Sequence, residues 1–133
     1  MDSRRVDLSS YRMGQAEDSL KVAKMCFESG ILKDAVNRSY YAAFYAIKSL
    51  LALTEVDFKR HKDEVAYFNK TYVATGKFSR ELGRKVGRLQ QIREKSDYDD
   101  FFIVSENDAA LQMESAKIII EEIKKNLMAE YGL

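Results

Sequence analysis

Asp34-Ala35-Val36-Asn37-Arg38-Ser39-Tyr40-Tyr41-Ala42-Ala43-Phe44-Tyr45-Ala46-Ile47-Lys48-Ser49-Leu50-Leu51-Ala52-Leu53 holds neither Gly nor Pro, so nothing in it interrupts a helix. Val36, Tyr40, Ala43, Ile47 and Leu50 recur at alternating spacings of four and three, the pattern of one buried helical face. Ala35, Ser39, Ala42, Ala46 and Ser49 form a second row of small residues that lets a neighbouring backbone come close. Tyr41, Phe44 and Leu51 add apolar surface between the rows. A helix that is apolar or small on most sides must be covered on most sides, which makes this one central. Asn37, Arg38 and Lys48 resist burial, and Arg38 shares a side with Tyr45 two turns on. A cation held inside a Tyr-rich helix is either paired or functional.

The rest of the chain supplies the cover. With 133 residues it is one domain, and its 46% apolar and 32% charged composition is that of an ordinary globule. There is no Pro and little strand-like alternation, which predicts an all-α fold, a five-helix up-and-down bundle. Met1 to Val6 read as a frayed end. Asp7, Ser9 or Ser10 can cap a first helix with Tyr11, Ala16, Leu20, Ala23 and Phe27 on its apolar side. Gly30 stops it, and the short turn Gly30-Ile31-Leu32 makes helices one and two an antiparallel hairpin.

A third helix is expected from about His61 to Ala74, with Val65, Phe68, Tyr72 and Val73 inward and Gly76 at its end. Ser79 opens a fourth, burying Leu82, Val86, Leu89 and Ile92. Gly83 and Gly87, each costing about 1 kcal/mol against Ala in a helix, suggest by their spacing a close crossing with a neighbour. Ser96 to Val104 reads as a loop, after which Ser105 caps a last helix carrying Ala109, Met113, Ala116, Ile120, Ile123 and Leu127 inward.

The formal net charge of +1 by itself implies neither a nucleic-acid nor a membrane partner. Charge is nevertheless segregated. Lys77, Arg80, Arg84 and Arg88 make one stripe on the fourth helix, able to track a phosphate backbone or an acidic partner, or else simply a solvated face. From Asp97 to Glu114 there are six acids and no Lys or Arg. Arg93 lies at the edge of the buried face, with Asp97-Tyr98 about one turn on. The three can meet as a structural ion pair closing a corner, or as an oriented phosphate-binding arginine. Tyr40, Tyr41 and Tyr45 with Arg38 can stack bases and hold phosphates, although aromatics at helical spacing are also core.

Cys26, the sole cysteine, rules out an internal disulfide and reads as a small buried hydrophobe. His61 is the sole histidine, set in the basic run Lys59-Arg60-His61-Lys62, where its proton affinity should be lowered. There is no Gly-rich phosphate loop, nucleophile motif or paired carboxylates at metal-ligand spacing, so no cofactor and no metal is called for. No apolar run approaches a membrane span and the N-terminus lacks a signal-peptide core, which points to the cytoplasm.

Asn37-Arg38-Ser39-Tyr40-Tyr41-Ala42-Ala43-Phe44, then Lys59-Arg60-His61, then Thr75-Gly76-Lys77-Phe78-Ser79-Arg80-Glu81-Leu82-Gly83, then Arg93 with Asp97-Tyr98 resemble the pattern of HEPN-domain proteins over roughly residues 8 to 128. The likeness is to the small stand-alone kind often encoded beside a minimal nucleotidyltransferase. It implies a helical bundle, commonly a homodimer, associated with nucleotides or RNA in toxin–antitoxin or defence pairs. Many of that superfamily are metal-independent ribonucleases using an Arg followed four to six residues later by His. Here Arg93 stands in the arginine's place and Asp97-Tyr98 in the region of the histidine. The first reading is a nucleotide- or RNA-binding module that partners a minimal nucleotidyltransferase. Its polar pocket would comprise Arg38, Tyr41, Tyr45, Arg93, Asp97 and Tyr98, with His61 at the rim. The second is a ribonuclease toxin using Arg93 and His61. The third is a structural helical partner in which Arg38 and Arg93 are ion-paired.

Overall fold

The computed structural model describes residues 2–133, in which five α-helices and one wide π turn account for the regular structure and there is no strand. The helices are α1 (Ser3–Glu28), α2 (Leu32–Leu51), α3 (His61–Phe68), α4 (Arg80–Tyr98) and α5 (Glu106–Tyr131). α2 is the hub. It packs against each of the other four helices. Both of its rows are buried: Val36, Tyr40, Ala43, Ile47 and Leu50 on one side, Ala35, Ser39, Ala42, Ala46 and Ser49 on the other.

The small row seats α1. Ser49 Oγ donates to the Ser9 carbonyl at 2.7 Å, and the two hydroxyls lie 3.0 Å apart, so two helices meet through side chains short enough to bond across the seam. α1 turns most of the expected face inward, with Ala16 and Ala23 buried and Leu20 and Phe27 packed at the edge of the core, but Tyr11 is replaced in the seam by smaller residues. It buries Ser9, Met13, Ala16, Ser19 and Ala23, while Tyr11 is left 67% exposed. Close approach to a row of alanines and serines selects small residues for that seam over a bulky ring.

α1 also begins earlier than expected. Asp2 is its cap, accepting from the Arg4 N–H at 2.9 Å, so 3–6 are helical, and Asp7, Ser9 and Ser10 lie inside the helix. No Gly or Pro separates Asp2 from Ser10, so the helix runs back to the first side chain able to cap it. Met1 of the expected frayed end lies outside the described residues. At the other end Gly30 takes φ +77°, a left-handed stop that reverses the chain into α2.

α3 continues into a π turn over Asn69–Val73, closed by the Ala74 N–H on the Asn69 carbonyl at 2.8 Å. The widened turn pushes Val73 against α4. A Cβ built on Gly83 would stand 2.9 Å from Val73 Cγ1, so this glycine does mark a close crossing. Gly87 does not: nothing lies within 4 Å of a Cβ there. Ser79 caps α4 through the Leu82 N–H, and Leu82, Val86, Leu89 and Ile92 face inward. α4 runs on to Tyr98, so Ser96, Asp97 and Tyr98 are helical and only 99–104 form the connection to α5. Val36, Ile92, Val104 and Ala109 close a small second core beneath that corner.

Candidate functional site

The polar cluster is built where α2, α3 and α4 meet. α2 supplies Arg38, Tyr40, Tyr41 and Phe44, α3 supplies His61 at its first turn, and α4 supplies Arg93 and Asp97. The His61 ring stacks on Phe44 with centroids 3.9 Å apart and stands edge-on to Tyr41 at 5.7 Å. Tyr40 Oη is 3.5 Å from His61 Nδ1. The Arg93 guanidinium lies 5.0 Å from the Tyr40 ring centroid and 5.6 Å from that of Tyr41, and Nη2 donates to Tyr41 Oη at 3.5 Å. Arg93 and His61, 32 residues apart in the chain, thus converge on the same two tyrosines.

Arg93 is set on the inward side of α4 between Leu89 and Ser96, and its side chain is only 18% exposed. Asp97, one turn on, brings Oδ2 to 3.0 Å of Nε. The N–H does not aim at that oxygen, so the buried Nε has an ion contact and no hydrogen bond. Of five guanidinium N–H donors, the long bond to Tyr41 is the one that is spent. Arg38 finds no carboxylate among the described residues. Its Nη2 and Nε donate to Asn37 Oδ1 at 2.9 and 3.3 Å, and it stacks 4.8 Å from the Tyr41 centroid. Asp97 therefore belongs to Arg93. Tyr45 lies 5.9 Å from Tyr41 and extends the aromatic surface. Tyr98 is 80% exposed and does not meet Arg93.

The protonation states follow from the packing. Burial pushes the Tyr40 hydroxyl up to about 12, partly offset by the nearby Arg93 charge, so it holds its proton at neutral pH. His61 is held below its usual value of 6.5, first by burial, then by the charges of Arg93 and Lys48. The direction is the one expected from the sequence. The cause is not the neighbouring Lys59, Arg60 and Lys62 but first burial and then two cations brought in by the fold. A protonated Tyr40 beside a neutral imidazole assigns the donor role to Tyr40 and the acceptor role to Nδ1, leaving the imidazole proton on Nε2.

His61 contributes stability that is full above the unfolded-chain value and is lost as pH falls through the lower folded one. Because His61 is the only histidine, its ring proton gives a single unambiguous NMR titration. The midpoint is expected below 6.5 and is expected to rise in Arg93→Ala; an unmoved midpoint would separate the two side chains.

Sequence reasoning missed two members of this neighbourhood. Lys48 Nζ bonds Glu64 Oε1 at 3.2 Å, with the Glu64 side chain 3% exposed, and Lys48 also sits 5.4 Å from the Phe44 centroid. The position of Glu64 three residues after His61, on the same side of α3, was the available signal. Of the basic stripe, Arg80, Arg84 and Arg88 are exposed on α4, whereas Lys77 precedes the helix and reaches Glu130 at 3.7 Å. Cys26 is half-buried on α1. Clefts of about 480 and 580 Å³, lined mainly by α1 and α5, include none of the cluster. Among the described residues no helix is long and apolar enough to cross a membrane.

Known proteins resemble this chain over most of its length. The chain is 32% identical over 115 residues to a UPF0332 protein of Thermotoga maritima, covering 86% of this chain and 87% of that one. It is 32% identical over 112 residues to a Methanocaldococcus jannaschii protein named "Putative toxin MJ0605", covering 84% and 83%. A second protein of that organism, named "Putative toxin MJ0142", is 28% identical over 116 residues, covering 87% and 79%. The model of the HEPN domain matches residues 9–127, which takes in α2, His61, Arg93 and Asp97 together. By that match, across nearly the whole bundle, the chain belongs to the HEPN domain family.

Proposed function

We propose that this chain is a toxin-type HEPN module that binds RNA through the Arg93–His61–Tyr40–Tyr41 cluster and works with a minimal nucleotidyltransferase as partner, in the cytoplasm and as a homodimer. One observation carries the RNA assignment: Arg93 is largely buried yet has spent one long hydrogen bond out of five donors. With Nε held against Asp97, the Nη donors remain to be used, and phosphate oxygens are the acceptors that match a guanidinium fork. His61, neutral with its Nε2 proton free, offers a second donor beside it, while Tyr41, Tyr45 and the stacked Arg38 give a base or ribose a flat surface. The toxin character is supported by the names of the two Methanocaldococcus jannaschii relatives.

A second reading, RNA cleavage, is favoured by the convergence of His61 and Arg93 on shared tyrosines. Metal-independent cleavage needs a proton acceptor near the 2′-hydroxyl, and His61 would serve only after giving up its bond to Tyr40 and exposing a bare nitrogen. Binding needs no such rearrangement.

Labelled transfer RNA in excess EDTA, with gel-shift and cleavage readouts, tests both. Arg93→Ala is expected to weaken binding about tenfold or more, the effect of losing a charged hydrogen bond of about 1.5–3 kcal/mol, with the far-UV spectrum unchanged. Cleavage by the wild type that both Arg93→Ala and His61→Ala lose would establish the second reading. RNA affinity unchanged in Arg93→Ala would return Arg93 to a structural role.

A further inference from the structure

α4 has two working faces. Arg84 and Arg93 are nine residues apart, about two and a half turns, so they point to opposite sides of the helix. Arg80, Arg84 and Arg88 therefore look outward while Arg93 looks into the bundle, and they cannot form one site within a single molecule. The outward arginines repeat at about 6 Å along the axis. None of the three has a carboxylate within ion-pair distance among the described residues, although Lys85 on the same helix takes Glu81 at 3.3 Å.

Gly87 lies in this stripe. It follows Arg80 by seven residues and so returns to within about 20° of its direction. Gly83 is explained by Val73, but Gly87 faces open space, and its helix is weakened with no contact among the described residues to account for it. A missing side chain beside unpaired arginines lets a ligand's backbone come against the helix itself. Every exposed side chain on α4 from Arg80 to Lys95 is polar or charged. A protein partner needs apolar anchors at the centre of its footprint, whereas a phosphate backbone needs none.

We infer that the outer face of α4, Arg80, Arg84 and Arg88 around the notch at Gly87, is a second RNA-binding surface that grips the phosphate backbone of a single strand without reading its sequence. The inference rests on the RNA reading of the Arg93 face, and it adds a separate anchor on the opposite side. It makes each protomer able to hold RNA at two places that a short strand does not span.

The test is binding of a fluorescein-labelled 20-nucleotide oligouridylate by anisotropy at several KCl concentrations. The Arg80→Gln/Arg84→Gln/Arg88→Gln variant is expected to lower the salt slope of log K by about 2, at about 0.7 for each of three single-strand phosphates. Gly87→Ala is expected to raise the melting temperature and weaken binding several-fold, because the new methyl fills the notch. A slope unchanged in the triple variant overturns the second surface while leaving the Arg93 face standing. Full affinity in Gly87→Ala overturns the seat at the notch. Displacement of the labelled strand by polyglutamate as readily as by unlabelled oligouridylate would make the partner an acidic protein and overturn the assignment. No binding by the wild type overturns this inference together with the RNA reading beneath it.

Discussion

Lys48→Met is expected to destabilise the protein by about 3–5 kcal/mol, a large share of a domain's total stability. The methionine keeps the length of the aliphatic stem, so the loss isolates the charge. Glu64 has 3% of its side chain exposed, and Lys48, at 3.2 Å, is its one ion-pair partner among the described residues. Removing the ammonium leaves a carboxylate in an apolar seam between α2 and α3, where desolvation is no longer offset. The double variant Lys48→Met/Glu64→Leu is expected to recover most of the loss, since an apolar pair of similar volume replaces a buried ion pair at little cost. Urea unfolding of the four proteins in this cycle gives the coupling directly. If the double variant is as unstable as the single one, the seam depends on packing and not on the pair. The same bond holds the first turn of α3, so Lys48→Met should also loosen His61 from its stack on Phe44.

Ser49→Leu is expected to cost about 2–4 kcal/mol through two effects that act together. It removes the bond to the Ser9 carbonyl, about 1 kcal/mol, and it forces a larger side chain into the α1–α2 seam, about 1–3 kcal/mol. Ser49→Ala removes the bond alone and should cost about 1 kcal/mol. Thermal or denaturant unfolding of both variants separates the two contributions. Equal losses would mean that the seam has room to spare. The seam is narrow because Ala35, Ser39, Ala42, Ala46 and Ser49 are all fully buried against neighbours, leaving no gap into which a leucine can relax.

Much of this fold is legible in one helix. The two rows of α2 announce burial on most sides, and a helix buried on most sides has to be the hub. The start of α1 is not legible in the same way, because a helix with no interrupting Gly or Pro ends wherever a side chain happens to cap it, here Asp2. Ser96, Asp97 and Tyr98 read as loop because the stretch they open is rich in Asp and aromatics; the Arg93 contact one turn back offsets the cost of an acid near the helix C-terminus. Gly83 and Gly87 share a spacing and differ in meaning, since only the position of Val73 tells them apart.

The candidate site was legible residue by residue but not as an arrangement. Arg93 and Arg38 stand out in sequence as cations among apolar neighbours, and His61 as the only histidine. That His61 stacks on Phe44 and shares tyrosines with Arg93 is a contact across 17 and 32 residues, which local spacing does not encode. Glu64 is illegible for the same reason, because a lone acid on a short helix gains its meaning only from Lys48 opposite.

Tyr40 belongs to both halves of the molecule. It is 2% exposed in the middle of the main core, and it touches His61 and Arg93 with its hydroxyl and ring. Shape and chemistry are therefore inherited as a unit. A lineage that retunes the cluster at this position must rebuild the centre of the bundle in the same step. Variation is freer on the outer face of α4, where a change of charge leaves the packing untouched. Divergence among such proteins should then be read first in what the outer face holds, and last in the tyrosine at the hub.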